Sequence, residues 1–163
     1  MILWQTFLQS LRLPSKRIVF QLNRKGMDIT VIYMFLLLLL VSIPSLIDRL
    51  YENTGFTSDM NIVFLLIYFF IFYYLPLTII VFLSMTVVAY VMTLVASVMG
   101  RKLRLQLLWK MCAYSATIPF LIYTVSALFF SVSDIFLWVA IVYTVLMLLI
   151  IITVYPKRKI HTK

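Results

Sequence analysis

Thirteen of the fourteen basic residues in this chain fall into three clusters, and long apolar stretches separate those clusters. The clusters are Arg12, Lys16, Arg17, Arg24 and Lys25; then Arg101, Lys102, Arg104 and Lys110; then Lys157, Arg158, Lys159 and Lys163. Lysine and arginine flanking a membrane span stay on the cytoplasmic side, so the pattern predicts that all three clusters lie inside. Apart from Asp28, which counts with the inside charges, the remaining charges are Arg49 with Asp48, Glu52, Asp59 and Asp134, in two short segments that alternate with the basic ones and are expected outside. The net charge of +9 therefore separates by side. It is a topology signal and not the footprint of a nucleic-acid binder.

Composition agrees. With 64% hydrophobic residues over 163 positions, the chain is too apolar for an ordinary soluble globule. One crossing of the hydrocarbon needs about 20 apolar residues, and windows at 28–47, 111–131 and 135–155 meet this requirement. The stretch 62–99 carries no charge and would run to about 57 Å as one helix. If it crossed twice, the first basic cluster would lie on the opposite side from the other two, so the charge pattern requires a single crossing, mainly within 75–99. The expected fold is all-α: a polytopic membrane protein with four transmembrane helices, both termini cytoplasmic, forming a single membrane domain over 1–163. The aromatic-rich piece before Pro76, with Phe64, Tyr68, Phe69, Phe70, Phe72, Tyr73 and Tyr74, suits either an outer interfacial segment or the start of one long tilted helix.

The first 26 residues do not read as a cleavable signal, because the apolar run that follows is too long for a signal core. Leu3, Trp4, Phe7, Leu8 and Leu11 recur at helical spacing, which predicts an amphipathic helix lying at the inner interface. Behind it, residues 16–25 offer cations to anionic inner-leaflet lipids; a cytoplasmic partner helix could use the same stripe. The loop from Gly100 reads similarly. Gly100 is placed to end the second helix, and Arg101 to Lys110 carries Leu103, Leu107, Leu108 and Trp109 in an amphipathic connector expected along the inner surface. The predicted inner-surface contacts are Trp4, Lys16, Arg17, Arg101, Lys102, Arg104 and Trp109.

Catalysis or ion coupling inside a membrane uses ionisable groups there, and these windows have none in their interiors. One histidine, His161, and one cysteine, Cys112, cannot complete a tetrahedral metal set, and no cofactor motif occurs. The reading is a protein without catalytic, metal or cofactor residues. Small and hydroxylated residues are better represented. Ala89, Thr93 and Ser97 follow four-residue spacing in the second span, and the third opens with Ala113, Tyr114, Ser115, Thr117 and Pro119. These residues allow close helix packing, or, around a proline kink, a neutral path.

The run Gly100 to Leu121, GRKLRLQLLWKMCAYSATIPFL, resembles the signature of an uncharacterised membrane-protein family of Gram-positive bacteria, at Ala113, Tyr114, Ala116, Thr117 and Pro119 in particular. The opening, with Trp4, Phe7, Leu8, Ser10, Pro14, Ser15 and Lys16, is similar to that family's start. The resemblance implies a four-span protein of the bacterial cell membrane. Some members carry the label maltodextrin-utilisation protein, and the third-span pattern is distantly similar to Yip1-like membrane proteins. The family usually has a sizeable region between its first two spans, where this chain has only 48–61. Two functions follow as expectations: an accessory or scaffold subunit of a larger membrane assembly such as a transporter or envelope complex, with other integral subunits or self-association as partners; or a small homo-oligomeric permease or lipid-handling protein for a neutral substrate. Thr86, Tyr90, Thr93 and Ser97 discriminate between them, since a permease would turn them into one water-filled cavity.

Overall fold

A computed structural model describes residues 2–51, 61–130, 132 and 135–156. The tail cations Lys157, Arg158, Lys159 and Lys163, and most of the expected outer loops, lie outside the described residues. The described elements are helical: α1 (Ile2–Leu11), α2 (Lys16–Asn23), α3 (Met27–Tyr51), α4 (Ile62–Phe69), a π-helical turn (Phe70–Tyr74), α5 (Leu75–Val98), α6 (Leu105–Ser115), α7 (Thr117–Phe129) and α8 (Ile135–Val154). Four stretches are long and apolar enough to cross a membrane: Met27–Tyr51, Ile62–Val98, Leu105–Phe129 and Ile135–Val154. The protein is an all-α, four-span membrane protein.

The long uncharged stretch is one continuous helix across α4, the π turn and α5. At 37 residues it measures about 55 Å, well beyond the roughly 30 Å of hydrocarbon, so it tilts or projects. Pro76 accounts for the π turn. Its ring has no N–H for the Phe72 carbonyl and would press on it; widening the preceding turn relieves this, and the Leu75 N–H reaches back to Phe70 O. Asn61 starts α4 by accepting from the Val63 N–H at 3.3 Å. Tyr68 with Phe72, and Phe69 with Tyr73, stack along this outer half.

Gly100 ends α5 in the left-handed region, φ +71°. Its N–H bonds Ser97 O, and that of Arg101 bonds Ala96 O, the paired closure of a Schellman motif. The third span begins at Leu105 and not near 111. Leu108, Trp109 and Lys110 are buried, which overturns the surface connector expected there. The reason is packing: Trp109 lies against Phe82 in a tilted ring contact and its indole donates to Thr86 Oγ1 at 3.2 Å, drawing this turn of α6 onto α5.

The core is formed by Met34, Leu37 and Leu38 of α3, Met85, Ala89, Met92 and Ala96 of α5, Met111 to Tyr114 of α6, and Leu148, Ile151 and Ile152 of α8. The apolar stripe of α1 divides. Leu3 and Phe7 pack on the core, whereas Trp4, Leu8 and Leu11 face outward. Thr6 and Ser10 can be buried beside them because their hydroxyls bond Ile2 O and Thr6 O one turn back, each at 2.8 Å.

Among the described residues, the first two basic clusters meet at one end of the bundle, where α8 also ends. Lys110 reaches Asn23 and Lys25, Arg101 reaches Ile152 and Tyr155, and Phe20 packs edge-on against Tyr155. By the positive-inside rule this end faces the cytoplasm. A cysteine placed at the exposed Ser15 is therefore expected to stay unlabelled by an impermeant thiol reagent in intact cells, and one at Ser58 to label. Labelling in the opposite sense would refute that orientation.

Candidate functional site

The polar chemistry of this molecule concentrates at the basic end and in the half of the bundle above it. Lys110 projects from α6 and is buried, yet its ammonium donates to Asn23 O at 2.7 Å and Lys25 O at 2.9 Å. These are carbonyls at the end of α2 and in the turn beyond it. A helix C-terminus leaves carbonyls unsatisfied and carries partial negative charge, so the lysine serves as an internal cap. Arg101 plays the same part for α8, donating to Ile152 O and Tyr155 O. Both cations come from the loop and helix that follow Gly100: Lys110 ties α2 to α6, and Arg101 ties α8 to the loop that leads into it. Lys25 donates to Thr6 Oγ1 at 2.6 Å, fixing α1, and burial pulls its pKa below the ordinary lysine value.

Above this layer two rungs join α3 to the third span. Thr30 Oγ1 and Tyr114 OH share a hydrogen bond at 2.7 Å, as do Tyr33 OH and Thr117 Oγ1. The spacing is the same on both sides, three residues, so two helices running in the same direction present alternating Thr–Tyr and Tyr–Thr pairs in register. All four residues are buried. The third span breaks between the rungs: α6 stops at Ser115 and α7 starts at Thr117. Pro119 lacks the N–H that would bond Ser115 O, and the Ser115 hydroxyl has no partner among the described residues.

Of the residues singled out for packing or a path, Ala89, Ala113, Tyr114, Ser115, Thr117 and Pro119 are buried. Thr93 is half-buried and Ser97 exposed. Thr86, Tyr90, Thr93 and Ser97 do not surround a common interior space; Thr86, Tyr90 and Ser97 are exposed on the outer side of α5. Of the predicted surface residues, Trp4, Lys16, Arg17, Lys102 and Arg104 are exposed, whereas Arg101 and Trp109 turn inward to the contacts already described. Sequence reasoning placed Lys25 at the lipid surface and did not find its contact with Thr6, nor Thr30, Tyr33 or the capping role of Lys110. The one available signal was the matching three-residue spacing of Thr30 and Tyr33 with Tyr114 and Thr117.

Two cavities bound this region. One, of about 400 Å³, opens at the basic end between the α2–α3 turn and the start of α6. The other, of about 260 Å³, lies in the opposite half and is mainly apolar, lined by Leu38, Val41, Leu77, Val81 and Phe120, with Tyr73 and Tyr123. Tyr73 is held by Ser45 at 2.7 Å and lies under the Arg49 guanidinium at 5.6 Å.

This arrangement, with helix ends capped from within and hydroxyl rungs between spans, defines a polytopic α-helical membrane protein whose polar groups serve helix association. The chain belongs to the family DUF1189, described as proteins of unknown function, whose model matches residues 56–152. That match spans the second, third and fourth crossings and the signature run from Gly100 to Leu121, and leaves α1 to α3 outside. No curated protein and no solved structure matches the chain.

Proposed function

We propose that this protein is a non-enzymatic subunit of a larger assembly in the bacterial plasma membrane, such as a transporter or envelope complex, and that it binds other integral membrane helices through the outer side of α5. The observation that carries this reading is a hydroxyl strip along α5 from which Tyr90 and Ser97 face away from the bundle, while Thr86 meets the Trp109 indole and Thr93 is half-buried. Thr86, Tyr90, Thr93 and Ser97 follow one another at four-, three- and four-residue spacing. Thr86 and Thr93 satisfy their hydroxyls on Phe82 O and Ala89 O, as threonines in membrane helices commonly do. Tyr90, 57% exposed, has no hydrogen-bond partner among the described residues, and neither has Ser97. Lipid tails offer no partner for such groups, whereas a neighbouring helix does. The resemblance of the Gly100 to Leu121 run to proteins labelled for maltodextrin utilisation makes a carbohydrate transporter one candidate host.

The test is purification of tagged protein from its native membrane in mild detergent, with mass spectrometry of near-stoichiometric companions. A constant companion is expected, and Tyr90→Phe with Ser97→Ala weakens its retention by roughly threefold or more, given about 0.6 kcal/mol for an average interhelical hydrogen bond in a membrane. A wild-type chain that emerges alone and monomeric would defeat the proposal. A second reading, a homo-oligomeric permease or lipid-handling protein for a neutral molecule, rests on the 260 Å³ apolar cavity beside Tyr73 and Tyr123. It predicts a homo-oligomer carrying lipid or a small molecule in the same purification.

A further inference from the structure

The basic-end cavity gathers four cations and no carboxylate. Lys25, Lys102, Arg104 and Lys110 all line it, with Met27 and Leu107 among the apolar remainder. Asp28, next in sequence to Met27, is not part of the lining. Four positive side chains around about 400 Å³ repel one another unless an anion sits among them. Two of them have other work: Lys25 holds Thr6, and Lys110 caps Asn23 and Lys25. Lys102 and Arg104 are exposed and form no hydrogen bond or ion pair among the described residues, so their charge is available. The first turn of α6 forms part of the wall, and Arg104 at its N-cap position makes no side-chain cap; the Leu107 N–H bonds Arg104 O, which leaves the N–H groups of Leu105 and Gln106 open to an acceptor. Uncapped N–H groups, a guanidinium and ammonium groups together are the chemistry that binds phosphate oxygens.

We propose that this cavity binds an anionic phosphate group, with Lys102, Arg104 and the first turn of α6 as its donors and Lys25 and Lys110 supplying the surrounding positive potential. The cavity is open at a basic membrane face, so the group arrives either on an anionic phospholipid or as a soluble phosphate, and Met27 and Leu107 offer apolar contact to whatever carries it. The site is independent of the α5 strip and stands or falls separately from it.

The experiment compares the full chain with Lys102→Gln/Arg104→Gln and with Lys16→Gln/Arg17→Gln, which removes the same charge from exposed α2 positions outside the cavity. Each is purified in neutral detergent and offered phosphatidylglycerol, phosphatidylcholine or inorganic phosphate, with bound lipid read by native mass spectrometry and thermal stabilisation read for all three. The expected result is retention of phosphatidylglycerol over phosphatidylcholine by the wild type, reduced about tenfold or more in the Lys102/Arg104 variant, as two near-surface cations would dictate, and changed less than about twofold in the Lys16/Arg17 variant. Stabilisation by inorganic phosphate in place of lipid, lost in the same variant, keeps the site and assigns it a soluble phosphate. Equal losses in both variants, or equal retention of phosphatidylcholine and phosphatidylglycerol with no response to phosphate, would overturn it. Because Lys102 and Arg104 are exposed, an unaltered unfolding midpoint in the absence of ligand is expected for their variant.

Discussion

Lys110→Met is expected to lower the stability of the detergent-solubilised protein by about 2–3 kcal/mol. Methionine keeps the bulk and apolar stem of the lysine and removes only its ammonium. Hydrogen bonds to a charged group contribute about 1.5–3 kcal/mol each, and two are lost here, to Asn23 O and Lys25 O. Part of that loss is offset because a buried ammonium no longer has to be desolvated. What remains is an uncapped end of α2 on the wall of the basic-end cavity. The effect should reach beyond α2, since Lys25 also holds α1 through Thr6; proteolytic susceptibility within residues 2–26 should rise with the drop in unfolding midpoint. Lys16→Met, at an exposed position with no partner among the described residues, is the control and should stay within about 0.5 kcal/mol. If the two variants melt together, the internal cap contributes nothing and Lys110 is merely another flanking charge.

Ala113→Leu should destabilise by about 1–3 kcal/mol through overpacking, and Ala89→Leu comparably. Both alanines are wholly buried, Ala89 on α5 and Ala113 on α6, and α5 packs closely on α6 through Trp109, Phe82 and Thr86. Three added carbons at either position must push the helices apart or force off-rotamer side chains. Displacing α6 would also strain the Thr30–Tyr114 rung one residue away. The comparison is Thr153→Leu on α8, which is exposed and bonds only Ile150 O within its own helix; in a lipid-facing setting that change should be tolerated. Membrane accumulation and thermal midpoint report both. Equal behaviour of all three variants would mean that the packing of α5 on α6 is not as described.

The different fates of the polar residues explain how much of this protein was legible in its sequence. Hydroxyls spaced along α5 suggested a lined path, yet threonine in a membrane helix can bond the carbonyl one turn back, and Thr86 and Thr93 do so. No aqueous cavity is needed to hold them. Trp109 and Lys110, taken as interfacial because aromatic and basic residues flank spans, are instead drawn into the bundle. An indole N–H and an ammonium can each be buried once an acceptor is supplied, and here Thr86 and the carbonyls of residues 23 and 25 supply it. Those acceptors lie 23 and more than 80 residues away in the chain, so no local pattern announces them.

What the sequence determined by itself was the part governed by the bilayer as a solvent. Four apolar stretches long enough to cross, the single continuous helix of the long uncharged segment, Gly100 as a helix end and the meeting of the first two basic clusters at one end all follow from hydrocarbon thickness, charge and backbone geometry, which act locally along the chain. Tertiary structure decided the pairing of Thr30 with Tyr114 and Tyr33 with Thr117, the caps that Lys110 and Arg101 place on α2 and α8, and the cavity ringed by Lys25, Lys102, Arg104 and Lys110. Each of these depends on which helix faces which, and lipid-facing and helix-facing surfaces of a membrane protein are both apolar, so hydropathy carries no record of that choice.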